Sequence, residues 1–439
     1  MSRPGKKWIV AGTALGLVVL AIFGFALHRA GQASAFARLP VREQNLAVFD
    51  AACALLESNY YAPEVFQRPA WQELKRHWRE QAAVAQGGGL LYFNVLQNFA
   101  NRFPASHVYF LQPPKEGAAS TAARRQPTAA EERFAALIVG GPGFDQDQVR
   151  RGEARLSIVG DVVRGSPAER AGITPGWALK DSTINGDGVH VHFRGTFWPL
   201  DPVASQLYER SGHVTDGGIP TVTVAYDHEL LEPRNDFELR QLPDGATYLR
   251  FDGFEDWGKV SRVLDAIDAA SPQGLVLDLR HNAGGRSFYL GRVLGRLLGA
   301  VDVGESISRE KRTPVGGLLI SGGHYEGPLI VLTGPATASS AEITAAAVQD
   351  LRRGLVIGRG TSGAVLSGQF FDLPDGGRLA VPVADYRRKA GKRIEGVGVQ
   401  PDIWVLPTLE DVRAGADPVL DRAVLELRKG WAARLNARG

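Results

Sequence analysis

Apolar residues change their spacing several times along this chain, and each change marks a different kind of element. From Arg42 to Asn101 they recur at helical intervals, first over Val48 to Leu56 and then over Trp71 to Trp78. Gly87-Gly88-Gly89 interrupts that pattern, and Leu90 to Phe99 resumes it. Tyr109-Phe110-Leu111 reads as a short strand. Pro113 to Thr128 is rich in Pro, Ala, Ser, Lys and Arg, has no apolar period, and reads as a linker. Between Glu131 and His228 short strand-like runs take over, at Leu156 to Val159, Asp161 to Val163, Val191 to Phe193 and Thr221 to Val224. From Leu239 onward strands alternate with helices. Thr247 to Phe251, Leu275 to Leu279 and Pro328 to Leu332 read as strands. Trp257 to Ala270, Phe288 to Leu298 and a stretch opening at Glu342 read as helices. Such alternation predicts an α/β layer with largely parallel strands.

One run stands apart. Trp8 to Leu27 holds 20 residues without a charge, preceded by Arg3, Lys6 and Lys7. That length crosses a bilayer core as a helix and favours an uncleaved anchor, with the positive N-terminus inside and the remaining chain outside. Ala33-Ser34-Ala35 leaves a cleaved signal open as the alternative.

The full chain has 439 residues, room for two to four domains. Its formal net charge of +3 gives no electrostatic footprint for a nucleic-acid partner. Arg124-Arg125 and Arg387-Arg388 read as solvated surface. Cys53 is the sole cysteine, so no intrachain disulfide and no cysteine-type zinc site can form. Within its helical stretch it reads as a buried, small apolar residue. His190 and His192 alternate on a strand but lack a carboxylate partner for a metal. No metal or cofactor is expected.

Chemistry concentrates where strands meet helices. Thr337-Ala338-Ser339-Ser340-Ala341-Glu342 follows a branched apolar strand, broken by Gly334 and Pro335. A serine at such a junction sits where unpaired helix amides can bind a developing oxyanion, although the same hydroxyls serve equally as helix caps. Asp278-Leu279-Arg280-His281-Asn282-Ala283-Gly284-Gly285 likewise follows its strand, and two glycines before a helix allow close approach to backbone amides.

These two segments, followed by Gly358-Arg359-Gly360-Thr361-Ser362-Gly363 and then Gly396-Val397-Gly398-Val399-Gln400-Pro401-Asp402-Ile403, stand in the motif order of the tail-specific (C-terminal processing) serine protease family. The chain resembles that family over roughly residues 45 to 410. Gly165-Ser166-Pro167-Ala168-Glu169-Arg170-Ala171-Gly172-Ile173 resembles a signature of PDZ domains from bacterial proteases, with Ile184-Asn185-Gly186 as the turn that follows. Trp177 replaces the usual aspartate after Pro175-Gly176. PDZ folds capture extended peptide ends by strand addition. The resemblance implies an α/β multidomain protein: a crotonase/Clp-protease-like α/β catalytic domain with an inserted PDZ-like β-rich domain and a helical N-terminal region. The expected boundaries are 1–35 anchor or signal, 36–112 helical region, 113–130 linker, 131–230 PDZ-like domain, 231–430 peptidase domain and 431–439 tail.

The resemblance implies Ser339 as nucleophile, with Ser340 the competing candidate, and the amides of Gly285 and Ser340 as the oxyanion hole. Members of the Ser-Lys kind carry a lysine where this chain has Ala364, and Lys311 and Lys389 are the nearest in sequence. The chain is more similar to the tricorn-like branch, which uses a histidine preceded by a serine together with a glutamate. Ser106-His107 and Glu395 fill those positions, with His107 as base and Ser106 and Glu395 as its polar support. His281 and His324 are alternative bases. The expected function is a membrane-anchored serine endopeptidase cutting exported or misfolded proteins, at the bacterial inner membrane with its catalytic part in the periplasm or cell exterior. The alternative is a non-catalytic peptide- or ligand-binding protein of the same fold, given the absent lysine. Acyl-CoA chemistry on the related crotonase-like fold is disfavoured beside a PDZ-like module.

Overall fold

The computed structural model describes residues 35–113, 144–151, 154–162, 177–186, 191–199, 221–226, 237–318, 323–407, 411 and 414–436. The expected anchor, the linker from 114 onward and the Gly165–Gly176 segment lie outside these residues, as do Arg124, Arg125 and His190. Among the described residues no helix is long and apolar enough to cross a membrane.

The helical period near the N-terminus becomes α1 (Val41–Asn59), α2 (Pro69–Val84) and a third stretch, α3, built from Gly88–Leu90, Leu91–Leu96 and Gln97–Arg102. They close on a core of Phe49, Leu56, Trp71, Leu96 and Phe99. Phe49 and Phe99 meet edge to face at 5.2 Å. Cys53 is buried in this core, and desolvation pushes its thiol up to about 12. The core also takes Leu373, Leu379 and Val381 from the far end of the sequence. The N-terminal helices are therefore packed onto the rest of the chain, not tethered beside it.

After them comes β1 (Tyr109–Leu111). An antiparallel five-stranded sheet follows, β2 (Phe144–Arg151), β3 (Ala154–Val162), β4 (Trp177–Gly186), β5 (Val191–Pro199) and β6 (Thr221–Tyr226), in sequence order. Ile184-Asn185-Gly186 ends β4 and does not form a turn, because Asn185 pairs with His192 and Gly186 with Val191.

The alternating region forms a six-stranded sheet from β7 (Phe237–Gln241), β8 (Thr247–Phe251), β9 (Leu275–Asp278), β12 (Leu329–Thr333), β13 (Leu355–Gly358) and β16 (Ile403–Trp404). Its order is β16-β13-β12-β9-β8-β7, parallel except for the β7–β8 hairpin. Successive side chains divide between two faces. Leu275, Leu277, Leu329 and Val331 pack under α4 (Trp257–Asp268), α5 (Ser287–Leu298) and α6 (Ser340–Asp350). Val276, Ile330 and Leu332 pack under α7 (Pro418–Asn436), through Val419, Leu420, Ala423 and Leu427. Both faces being covered, these strands are apolar throughout.

A second antiparallel sheet joins β10 (Asp302–Ser308), β11 (Arg312–Gly316), β14 (Ser367–Asp372) and β15 (Arg378–Arg388), and β1 adds to it by pairing with β15. Tyr109 lies opposite Ala380. The residues just before β1, including Ser106 and His107, are thus delivered to the α/β part of the chain by a strand pairing. Arg387 and Arg388 correct the expectation of a solvated pair. Arg387 bonds to the buried Asp385 at 3.0 Å and Arg388 grips Asp350, because β15 runs between packed elements.

Candidate active site

The glycine loop is held from beneath by its own motif residues. Asp278 is fully buried and accepts the Tyr248 hydroxyl at 2.8 Å. Arg280 folds back on it and reaches Asp417, ahead of α7, at 2.7 Å. Burial pushes the Asp278 carboxyl up, and the Arg280 guanidinium outweighs it, holding the group down to about 2. Asn282, also buried, donates to the Phe251 carbonyl and accepts the Gly284 amide, each at 2.9 Å, while its own carbonyl accepts the Ala338 amide at 3.0 Å. These residues tie the ends of β8 and β9 to the serine segment.

Gly285 forms a parallel bridge with Phe254. The Phe254 amide donates to Gly284 at 2.7 Å, and Arg286 donates to the Phe254 carbonyl at 2.8 Å. In a parallel bridge the flanking residues supply the bonds, so the N–H and C=O of Gly285 point to the opposite side. On that side the Ser340 hydroxyl donates to the Gly285 carbonyl at 2.9 Å. The Gly285 carbonyl therefore faces the serine segment. Ser340, as the first residue of α6, presents one of the amides that a helix leaves unpaired.

Ser339 precedes α6 with φ 53° and ψ −119°, a backbone shape that a non-glycine residue adopts only under constraint. The constraint is visible. Its amide donates to the Ala364 carbonyl at 2.8 Å and to Glu342 at 3.0 Å. Thr337, two residues earlier, is locked by a 2.7 Å bond to the Leu279 carbonyl. A serine raised on such a strand-to-helix elbow holds its hydroxyl above neighbouring amides. Ser339 is half-buried, whereas Ser340 is buried.

The third group comes from far away in sequence. His107 adopts φ 63° and is half-buried. The Ser106 oxygen lies 2.7 Å from His107 Nδ1 and 3.0 Å from Glu395 Oε2, and the Ser106 amide donates to Glu395 Oε1 at 2.8 Å. Glu395 is buried and also accepts the Val365 amide at 2.9 Å. A carboxylate only accepts, so the single Ser106 proton points to Glu395 and a Ser106 lone pair receives Nδ1–H. That assigns the tautomer in which Nε2 is bare and basic. Burial pushes His107 below its ordinary value, and the Glu395 charge opposes this.

The structure thus brings Ser106, His107 and Glu395 into one bonded cluster, and Ser339, Ser340 and Gly285 into another. Among the described residues no hydrogen bond joins Ser339 to His107. The clusters meet through one loop: Val365 holds Glu395, and its neighbour Ala364 holds the Ser339 amide. No hydrogen bond joins Glu395 to the imidazole directly; the Ser106 hydroxyl lies between them. His281 lies in the turn after β9, and His324 packs against Gly299 at the end of α5. Asn282 and Glu342 escaped the sequence reading as site residues. Glu342 carries a signal, since it lies three residues after Ser339 in a Ser-x-x-Glu capping box.

Residues 245–405 match the model of Peptidase family S41. The carboxyl-terminal-processing protease of Picosynechococcus sp. is 31% identical over 254 residues, 54% of this chain and 58% of the relative. The chloroplastic C-terminal processing peptidase of Tetradesmus obliquus is 36% identical over 182 residues, 38% of each chain. The chain thus spans little more than half the length of the first relative and less of the second. Among solved structures, the photosystem II D1 C-terminal processing protease shares the fold, with a TM-score of 0.50 and 22% identity over 83% of this chain and 93% of that one.

Proposed function

We propose that this chain is a serine endopeptidase in which Ser339 attacks the scissile carbonyl and His107 is the general base. His107 Nε2 takes the Ser339 proton as the new C–O bond forms, and returns it to the leaving amine when the C–N bond breaks. Ser106 and Glu395 hold the imidazole in the tautomer this requires and stabilise the imidazolium. The Gly285 and Ser340 amides receive the oxyanion, whose charge exists only in the tetrahedral intermediate. Substrate entry brings the nucleophile and base into reach across the loop that already carries both clusters.

The observation that carries this reading is the bonded Glu395–Ser106–His107 chain, linked by Val365 and Ala364 to a constrained Ser339 elbow. A histidine with this support removes the need for a lysine at Ala364. It also argues against a non-catalytic binding protein, which has no use for a serine–glutamate pair aimed at one imidazole. Protein substrates are those exported across a membrane or misfolded there, cut toward their C-termini. The β2–β6 unit acts as a PDZ-like peptide-capturing module, and the Trp8–Leu27 run anchors the chain with the peptidase on the outer side of the inner membrane.

The test is a fluorophosphonate probe on the purified protein, with peptide mapping of the adduct. Labelling at Ser339, lost in His107→Ala, is expected. An intact, folded protein that the probe never modifies would refute the assignment.

A further inference from the structure

Glu342 is the residue around which the site is arranged, yet it reaches none of the reacting atoms. Its side chain is fully buried in the first turn of α6. Oε1 accepts the Gly363 amide at 2.7 Å and the Thr361 hydroxyl. Oε2 accepts the Ser339 amide at 3.0 Å, the Ala364 amide at 2.8 Å and the Ser362 hydroxyl at 3.4 Å. An ordinary capping-box glutamate satisfies one amide, that of the residue capping its own helix. This one also holds two amides and two hydroxyls of the loop that follows β13.

That loop is the one shared by the two clusters. From Thr361 to Ala364 it is gathered onto Glu342. The next residue, Val365, supports Glu395, and the Ala364 carbonyl takes the Ser339 amide from the other side. One carboxylate therefore fixes the backbone of the nucleophile and the strip of chain on which the base's support rests. Burial raises the Glu342 carboxyl above its ordinary value, and the Thr361 hydroxyl and the three amides offset only part of that rise.

We propose that Glu342 is a positioning residue, a buried acceptor that locks the Ser339 elbow to the Thr361–Ala364 loop and so sets the spacing between nucleophile and base. It exchanges no proton and touches no substrate. The proposal rests on Ser339 being the nucleophile.

Glu342→Gln keeps the shape but not the acceptors. Each carboxylate oxygen receives at least one backbone amide, so either orientation of the glutamine turns an N–H against an N–H. The displacement acts on the nucleophile and leaves the substrate-binding surface untouched. We expect kcat for a peptide substrate to fall about 10²-fold with KM kept within about threefold, because small misplacements of a reacting group cost on that order. The rate of Ser339 phosphonylation should fall in parallel. Thr361→Val removes one donor to Glu342, together with the acceptor of the Val399 amide, and should lower kcat by a smaller factor, again at constant KM, while Thr361→Ser restores it.

The outcomes separate the two readings. A wild-type protein unlabelled at Ser339 refutes the nucleophile assignment itself. A labelled wild type, with a folded Glu342→Gln variant that is labelled and turns over at the same rate, overturns the positioning role. So does a rise in KM at unchanged kcat. If Glu342→Gln does not fold, Thr361→Val decides: a lower kcat at constant KM supports the role, and an unchanged kcat overturns it.

Discussion

The Ser340 hydroxyl donates to the Gly285 carbonyl at 2.9 Å, and that bond separates two adjacent serines which their sequence leaves interchangeable. A hydroxyl committed to a carbonyl inside the fold is a strut, which favours its neighbour on the strained elbow, Ser339, as the proposed nucleophile. Ser339→Ala should abolish peptide hydrolysis with the fold intact. Ser340→Ala should retain activity within about tenfold and lose about 1 kcal/mol of stability, the usual worth of one hydrogen bond. Hydrolysis rates and thermal melts of the two variants check this, and the reverse pattern would exchange their roles.

With His107 as the proposed base, the reaction should take its pH dependence from that residue. Its pKa in the folded protein is below the ordinary 6.5, chiefly through burial. The base is neutral and competent above that folded value, so the acid limb of kcat/KM should fall below pH 6.5. The stability linkage has the same sign. Between the folded value and 6.5 the unfolded chain binds the extra proton, so His107's contribution is whole above pH 6.5 and is lost as pH falls toward the folded value. His107→Ala should lower kcat by several orders of magnitude and leave roughly 10³-fold catalysis over water from the oxyanion amides and binding. An acid limb unchanged in a still-active His107→Gln variant would assign the base elsewhere.

Much of this was legible from residue patterns, and the exceptions have physical causes. Buried parallel strands such as Leu275–Asp278 and Leu329–Thr333 announce themselves as unbroken apolar runs because both faces are covered. The second sheet does not. Its strands Asp302–Ser308, Arg312–Gly316 and Ser367–Asp372 are half exposed and rich in glycine, serine and charge, so no period marks them. Candidate site residues could be proposed because their motifs are local, but their contacts could not. Nothing in Glu395 or Ser106 alone indicates that they would meet across 289 positions, and the pairing of Tyr109 with Ala380 that brings them near is long-range.

Glu395 tests the relay. Replacing it with glutamine keeps the volume but turns one acceptor into a donor, facing either the Ser106 amide or the Val365 amide and Ser106 hydroxyl. Ser106 then loses its anionic acceptor and the Nδ1–H tautomer is no longer enforced. We expect kcat to fall by about 10²-fold to 10⁴-fold, with the upper end set by the equivalent change in a directly bonded triad. Stopped assays at saturating substrate measure it. A change confined to KM would show that Glu395 does not act through the imidazole.

The Trp8–Leu27 run makes a separate prediction. Full-length protein should pellet with membranes and resist carbonate extraction, since a spanning helix is held far more firmly than a surface contact. A mature, soluble form beginning near Phe36 would instead show a cleaved signal.

The last prediction isolates the oxyanion amide from simple backbone strain. Gly285 has φ 140°, and a Cβ added there would lie 2.6 Å from both the carbonyl carbon and the oxygen of Phe254. Those atoms are backbone in a bonded bridge and cannot rotate away. Gly285→Ala must therefore part the bridge or shift the Gly285 backbone, and if its amide is the proposed oxyanion donor, losing it should cost about 10²-fold to 10³-fold in kcat. Gly391 supplies the control. It too has positive φ, 76°, but a Cβ there meets nothing within 4 Å. Gly391→Ala should carry the conformational penalty alone, about 1 kcal/mol of stability, with kcat unchanged. If both variants lost stability alike and both kept full kcat, the Gly285 amide would have no part in stabilising the oxyanion. A collapse of kcat in Gly285→Ala only, at a KM close to wild type, is the outcome the geometry requires.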